Sequence, residues 1–326
     1  MSGVNTHRHW MIFCRVVDNH GDLGVCWRLA SQLAARGKQV QLFVDDASAL
    51  QWMAPQGCPG VEVVAWPDDA APWAHQTPLD VVIEAFGCEL PLAFQAAMAA
   101  WPTPPVWINL EYFSAEAVAL RNHGLPSPVM SGPAKGMTKW FYYPGLHEDS
   151  GGVMGGLKAM TGSGTTGFGV TDSSVNGLNL RSLKISLFCY EPASLGIWLE
   201  QLNDLAAHVV LNVTAGRATH AVRHALQSWS DAPRFHVHEL PYLNHESFDQ
   251  MLSEQDLNLV RGEDSLVRAI WAGKPLLWQI YPQQDGAHWP KLQAFLEATQ
   301  APPVVVQAHM AWNAEQASPL PWLTRQ

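Results

Sequence analysis

The sequence predicts an α/β protein built as two doubly wound domains that face one another across a cleft. Three observations predict it. Short apolar runs, most of them continuous and rich in Val and Ile, recur along the chain with helix-like stretches between them. Runs of that kind read as strands buried on both faces of a parallel sheet. The second half of the chain repeats the plan of the first, and between the halves lies sequence too rich in Gly, Ser and Thr to form a buried element.

Taken in order, the strands expected in the first half are Trp10–Val17, Val40–Val44, Val61–Trp66, Val81–Phe86 and Val106–Leu110. Helices are expected at Val25–Ala35, closed by Gly37, and at Leu92–Trp101, stopped by Pro102. In the second half the strands are Leu183–Tyr190, Val209–Val213, Phe235–Leu240, Leu257–Val260 and Leu276–Tyr281. The helices between them are Ser194–Leu205, Arg217–Trp229, Glu246–Gln255 and Ser265–Ala272, the last ending at Gly273 in a left-handed cap. This gives a first Rossmann-like domain over residues 1–150, a Gly/Ser-rich segment over 151–180 and a second Rossmann-like domain over 181–326.

Composition narrows the function. The chain is 48% apolar and 15% charged over 326 residues, which is globular and long enough for two cores. A net charge of −10 argues against nucleic acid and anionic membrane as partners. No apolar stretch approaches the ~18 residues that a bilayer demands. The N-terminus, MSGVNTHRHW, lacks the apolar core of a secretion signal. Five cysteines are scattered without a C-x-x-C pair, three of them inside apolar runs where a thiol serves as a small hydrophobe. The expectation is a reduced, cytoplasmic enzyme.

Two stretches carry chemistry. In FCRVVDNHGDLG, the first strand runs out into a loop holding Asp18, Asn19, Gly21 and Asp22. The dinucleotide fingerprint needs three glycines here and finds only Gly21 and Gly24. Asp22 reads either as a helix cap or as a carboxylate facing a ligand at the mouth of the sheet. In LNLVRGEDSLVRAI, a buried strand ends at Arg261-Gly262 and Glu263-Asp264-Ser265 opens a helix. Glu263 suits ribose hydroxyls, and the free amides with the Ser265 hydroxyl suit a diphosphate. The alternative is a plain capped helix, with Asp264 or Ser265 as the cap. Phe188, Tyr190 and Tyr242 stand at strand ends, where aromatic rings either pack in the core or sandwich a base. The histidines show no metal-ligand spacing, and there is no D-x-D, G-x-S-x-G or Walker loop, so neither a metal nor another cofactor is expected.

These motifs together resemble the bacterial protein-arginine rhamnosyltransferases that modify elongation factor P. The resemblance runs through most of the chain, in FCRVVDNHGDLGVCWRLA, DVVIEAFGCELP, WINLEYFSAE, KWFYYPG, SLFCYEP, LPYLNHESFDQML, LNLVRGEDSLVRAIWAGKPLLWQIYPQ and DGAH. It implies a GT-B glycosyltransferase, metal-independent and inverting, with dTDP-β-L-rhamnose as donor and an arginine of elongation factor P as acceptor. It implies further that Phe188 and Tyr242 flank the thymine, and that Tyr190, Glu263, Asp264, Ser265 and Tyr281 hold ribose, diphosphate and sugar. Asp22 matches the family's proposed base, with Asp18 and Asn19 beside it. Three departures from the family pattern stand out. His245 occupies a position where family members often carry Gln, the Gly-rich stretch Met154–Gly169 is longer, and the chain stops after PLPWLTRQ, before a helix that would cross back to the first domain.

The carboxylate pair suits that acceptor. Guanidinium stays protonated, with a pKa of ~12.5 or above, and an ordinary Asp near ~3.9 cannot simply deprotonate it, since the gap costs about 12 kcal/mol. Two carboxylates can instead hold the guanidinium by charge-assisted bonds and localise its electrons on the attacking nitrogen. The competing readings are a GT-B enzyme with another nucleotide-sugar or a small-molecule acceptor, and a non-catalytic nucleotide-sugar binding protein.

Overall fold

The structure, a computed structural model, describes residues 9–17, 20–66, 73, 79–155, 182–205, 207–283 and 285–321. Asp18, Asn19 and most of the segment assigned to 151–180 lie outside the described residues. The chain divides into two compact units, Met1–Leu157 and Lys158–Gln326.

The first unit is built on strands β1 (His9–Cys14), β2 (Gln39–Val44), β3 (Val61–Ala65), β4 (Val81–Ala85), β5 (Val106–Leu110), β6 (Pro126–Pro128) and β7 (Thr138–Tyr142). Their order across the sheet is β3-β2-β1-β4-β5-β7-β6, parallel except where β6 runs antiparallel to β7. Helix α1 (Gly21–Ala35) returns the chain from β1 to β2, α2 (Leu50–Met53) follows β2, α3 (Leu92–Ala100) links β4 to β5, and α4 (Ala117–Asn122) follows β5. Ile12, Leu42, Val81 and Ile83 meet Leu23, Cys26 and Trp27 of α1 on one face, while Met11, Phe13, Phe43 and Val82 meet Phe94 and Met98 of α3 on the other. Both faces of the central strands are thus covered, as their continuous apolar runs predict. The expectation fails at β3, an edge strand whose Glu62, Val63 and Ala65 are exposed.

The second unit contains β8 (Ser182–Leu187), β9 (His208–Val213), β10 (His236–Glu239), β11 (Leu257–Arg261) and β12 (Leu276–Gln279), in the order β10-β9-β8-β11-β12, all parallel. Its helices are α5 (Leu195–Asn203), α6 (Arg217–Leu226), α7 (His245–Ser253), α8 (Gly262–Ala272), α9 (His288–Ala298) and α10 (Pro303–Asn313). Trp198 and Trp312 meet edge to face at 5.5 Å in its core. Helix α10 is bound to β12 by polar contacts as well as packing. Asn313 accepts from the Ile280 N–H and donates to Trp278 O, while His309 Nε2 accepts from the Trp278 N–H. As expected, α8 ends on Gly273 in the left-handed conformation, φ 64°.

Both sheets follow one rule. The strand order reverses beside β1 in the first and beside β8 in the second, and in such sheets the crevice at the carboxyl ends beside the reversal takes the ligand. The chain leaves β1 at this end through Val17 and enters α1 at Gly21; SLFCYEP leaves β8, and RGED leaves its neighbour β11.

Candidate active site

At the carboxyl edge of the first sheet, Asp22 lies within the first turn of α1 and is only 2% exposed. The N-cap is His20, with no side-chain cap, so the reading of Asp22 as the cap is corrected. Its Oδ2 accepts the Val17 N–H at 2.9 Å, a bond that ties the carboxylate to the strand exit. Gly21 opens the helix, and the His20 ring stands edge-on to Trp52 at 5.5 Å. Cys14 and Cys26 are buried in the cluster under α1, and Cys88 is buried in the cluster under α3. The Cys14 hydrogen bond and then burial push the Cys26 thiol well up, and burial pushes Cys88 to about 12, so Cys26 and Cys88 are inert packing thiols.

Further along the same edge, Phe86 adopts φ 55°, uncommon and costly for a bulky side chain. It breaks the alternation of β4: Phe86 packs with the α1-side cluster, like Ile83 and Ala85, and stacks on Tyr112 at 4.3 Å. A second buried carboxylate, Glu84, is already neutralised. It takes Lys139 Nζ at 2.9 Å and Trp107 Nε1 at 3.1 Å. Half-buried Glu111 has its carboxyl raised by burial, against a hydrogen bond from Asn109.

The carboxyl edge of the second sheet is assembled from different material. Tyr190 is buried, its N–H donating to Gln279 Oε1 at 2.7 Å, and its ring meets Tyr281 edge-on at 5.5 Å. The Arg261 guanidinium lies 4.4 Å from the Phe188 ring centre and 4.5 Å from that of Tyr190, within cation–π range of both. Its Nη1 donates to Cys189 O at 3.3 Å. Phe188 is met edge-on by Phe248 of α7 at 5.8 Å. Tyr242 is 59% exposed after β10, its hydroxyl beside Gly216. Between them, His245 begins α7, whose cap is Asn244, accepting from the Ser247 N–H at 2.8 Å.

Helix α8 begins three residues before the expected Ser265, at Gly262, with Arg261 at the N-cap and no side-chain cap. Neither Asp264 nor Ser265 caps it. Ser265 is buried and its hydroxyl donates to Arg261 O, while Asp264 lies 3.9 Å from Arg268 Nε. Glu263 is paired with Lys291 of α9, both half-buried. Trp278 Nε1 donates to Gly262 O at 2.8 Å and fixes the turn from below.

Arg261, Phe248 and Lys291 carry no assigned role in the sequence reading. Arg261 stands one residue outside the conspicuous Gly262–Ser265 turn, and Phe248 looks like an ordinary apolar position of an amphipathic helix. Lys291 lies 28 residues from Glu263, beyond any local spacing. Among the described residues, no group of three or more His, Cys, Asp or Glu is placed to hold a metal ion, and no helix is long and apolar enough to cross a membrane. A cavity of about 470 Å³ opens beside His9, Gln39, Gln41 and Glu62, at the amino end of the first sheet and so away from that sheet's carboxyl edge.

Comparison with known proteins bears on both edges. The family model described as elongation factor P (EF-P) rhamnosyltransferase EarP matches residues 10–325. A protein-arginine rhamnosyltransferase of Pseudomonas putida is 42% identical over 313 residues, covering 88% of this chain and 80% of the relative. One from Pseudomonas aeruginosa is 43% identical over 312 residues, covering 88% and 81%. A solved structure concerned with EarP-mediated arginine glycosylation of translation elongation factor EF-P is similar with a TM-score of 0.56 at 28% identity, covering 94% of this chain and 84% of that one. Two parallel-sheet domains of this kind are the GT-B glycosyltransferase fold.

Proposed function

We propose, on the premise that this chain belongs to the elongation factor P rhamnosyltransferase family, that it transfers L-rhamnose from dTDP-β-L-rhamnose to an arginine side chain of elongation factor P. The transfer inverts the anomeric carbon and takes place in the cytoplasm. The first domain takes the acceptor and the second takes the donor.

The observation that carries the donor side is the cluster around Arg261. Phe188, with Phe248 at its edge, and Tyr242 offer faces for thymine. Tyr190, Tyr281 and Glu263 face ribose and rhamnose hydroxyls, and His245 takes the place of the usual Gln. The diphosphate lies at the start of α8, beside its first backbone N–H groups, Asp264 and Ser265, with the Arg261 cation at the N-cap and the Lys291 cation paired to Glu263 of the first turn. Those cations meet the charge that develops on dTDP as it leaves, so this reading needs no metal.

On the acceptor side, Asp22 and Asp18 hold the guanidinium, with Asn19 beside them. An arginine nitrogen attacks the anomeric carbon from the face opposite the diphosphate. The C–N bond forms as the C–O bond breaks, and the electron pair leaves on the β-phosphate oxygen. The nitrogen, now far more acidic, passes its proton to Asp22. The Val17 N–H bond holds that carboxylate in place for the transfer.

The test is the intact mass of purified elongation factor P after incubation with this protein and dTDP-β-L-rhamnose. A gain of one deoxyhexose mapped to an arginine is expected. Donor binding without any gain would point to another acceptor, and the absence of both would end the reading.

A further inference from the structure

Rings and guanidiniums crowd the second edge, and one of those guanidiniums is held by a carboxylate of the same chain. Arg217, the first residue of α6, reaches back to the end of β8. Its Nε donates to Glu191 Oε1 at 3.0 Å and its Nη2 pairs with Glu191 Oε2. Its Cζ lies 5.1 Å from the centre of the Tyr190 ring, the ring that Arg261 approaches to 4.5 Å. Two guanidiniums therefore share one aromatic ring, and Tyr190 is itself fixed by Gln279. The pair is open to solvent, with side-chain exposures of 44% for Arg217 and 57% for Glu191.

An exposed ion pair of this kind contributes little to stability. Its geometry is more informative. A carboxylate that takes both edges of a guanidinium presents two oxygens in the arrangement that a phosphate presents. The Glu191 side chain is held ionised by the same contact, which lowers its carboxyl from the ordinary value. Arg261, by contrast, faces Phe188 and Tyr190 and donates to a backbone carbonyl.

We propose that Arg217 is a second diphosphate-binding residue of the donor site and that Glu191 occupies it in the free protein as an internal substitute for the diphosphate. This rests on the donor reading above. Binding dTDP-β-L-rhamnose exchanges the Arg217–Glu191 bonds for Arg217–phosphate bonds, and no covalent step is involved. Loss of dTDP then lets Glu191 return, so the carboxylate weakens product binding as well as donor binding and favours release.

The two partners of the pair then have opposite effects. Removing the cation deprives the diphosphate of a charge-assisted contact, and removing the carboxylate's charge relieves a competitor. Calorimetric titration of the full chain with thymidine, dTDP and dTDP-β-L-rhamnose tests this. Arg217→Met is expected to weaken both diphosphates at least tenfold, Glu191→Gln to tighten both about fivefold, and neither to alter thymidine affinity by more than about twofold. Arg217→Lys is expected to recover part of the loss, since it restores charge without the two-pronged geometry. An ion pair of purely structural role would move both variants in the same direction and thymidine with them, and that outcome would overturn the proposal. Unchanged dTDP affinity in Arg217→Met, with its thermal midpoint preserved, would overturn it as well. If the unaltered chain bound neither dTDP nor thymidine, the donor reading itself would fail first.

Discussion

At the carboxyl edge of the first sheet the chain buries two carboxylates, Asp22 and Glu84; at the same edge of the second sheet it gathers rings and cations and leaves several of them partly open. The scaffolds beneath are alike. β3-β2-β1-β4-β5 and β10-β9-β8-β11-β12 are the same order of parallel strands, and both put their motif loops beside the reversal. Asp22 is 2% exposed and tied to Val17, whereas Tyr281 is 50% and Tyr242 59% exposed. One scaffold thus presents opposite charges. A buried carboxylate is strong toward an arriving cation because little water competes for it. A half-open set of aromatic faces and guanidiniums suits a large, flat, anionic ligand.

The sharpest way to break this comparison is to remove charge from one edge and look for effects at the other. Asp22→Asn keeps an oxygen for the Val17 N–H but cannot take a proton. Rhamnose transfer is expected to fall about a thousandfold, with dTDP affinity unchanged by calorimetry. If dTDP affinity fell with it, the division of labour between the edges would be wrong. Near-normal transfer would remove Asp22 from the chemistry.

A second test concerns what supports the donor edge. His309 is buried in α10, with Nδ1 2.9 Å from Val305 O and Nε2 accepting the Trp278 N–H at 3.1 Å. Nδ1 therefore carries the single proton, and a second at Nε2 would face another donor. Burial lowers its pKa to about 4 from 6.5. Between those values the unfolded chain binds a proton that the folded chain does not, so the contribution is intact above pH 6.5 and is lost as pH falls toward 4. The loss totals about 3 kcal/mol at ~1.36 kcal/mol per pH unit. Urea unfolding between pH 7 and 4, with NMR titration of the His309 ring, checks it. A ring already protonated at pH 5.5 would refute the account.

A third, smaller effect sharpens the aromatic half of the comparison. Phe188→Ala removes the ring that Phe248 and Arg261 both approach. dTDP and thymidine are each expected to bind about tenfold more weakly, as for loss of one base-stacking face. A loss confined to dTDP would mean that Phe188 acts by holding Arg261 and not by stacking on the base.

How much of this the sequence discloses differs between scaffold and edge. The strands of both cores are legible because burial on two faces leaves uninterrupted apolar runs. Their ends are not. The run Trp10–Val17 continues three residues past the ladder, which stops at Cys14, and Val17 is 80% exposed. Leu183–Tyr190 likewise overruns β8, and Leu276–Tyr281 overruns β12. In each case the excess residues lead into or form part of a candidate site, so periodicity runs the strand together with the turn that follows it. The β6–β7 pair is hidden for another reason, since Pro126 and Pro128 argue against a strand and are tolerated because β6 lies at the edge. Helix α10 contains the β-branched run Val304–Val306, and its packing and hydrogen bonds against β12 override that local preference. Partnerships such as Glu263 with Lys291 need the fold to be seen at all.

The smallest effect tests whether the two scaffolds are equivalent. Gly37 follows α1 and Gly273 ends α8, with φ of 76° and 64°, and a Cβ at either position would meet nothing within 4 Å. Sterics with neighbours therefore contribute nothing, and only the left-handed backbone remains. Gly37→Ala and Gly273→Ala are each expected to cost about 1 kcal/mol, read as a fall in urea midpoint at unchanged slope, with dTDP affinity and rhamnose transfer preserved. Matching costs would show that the domains share one scaffold economy and differ only at their edges. A loss of dTDP affinity in Gly273→Ala alone would show that the far end of α8 is coupled to its ligand-facing start. The donor edge would then depend on its helix as a rigid whole, in a way that the acceptor edge does not.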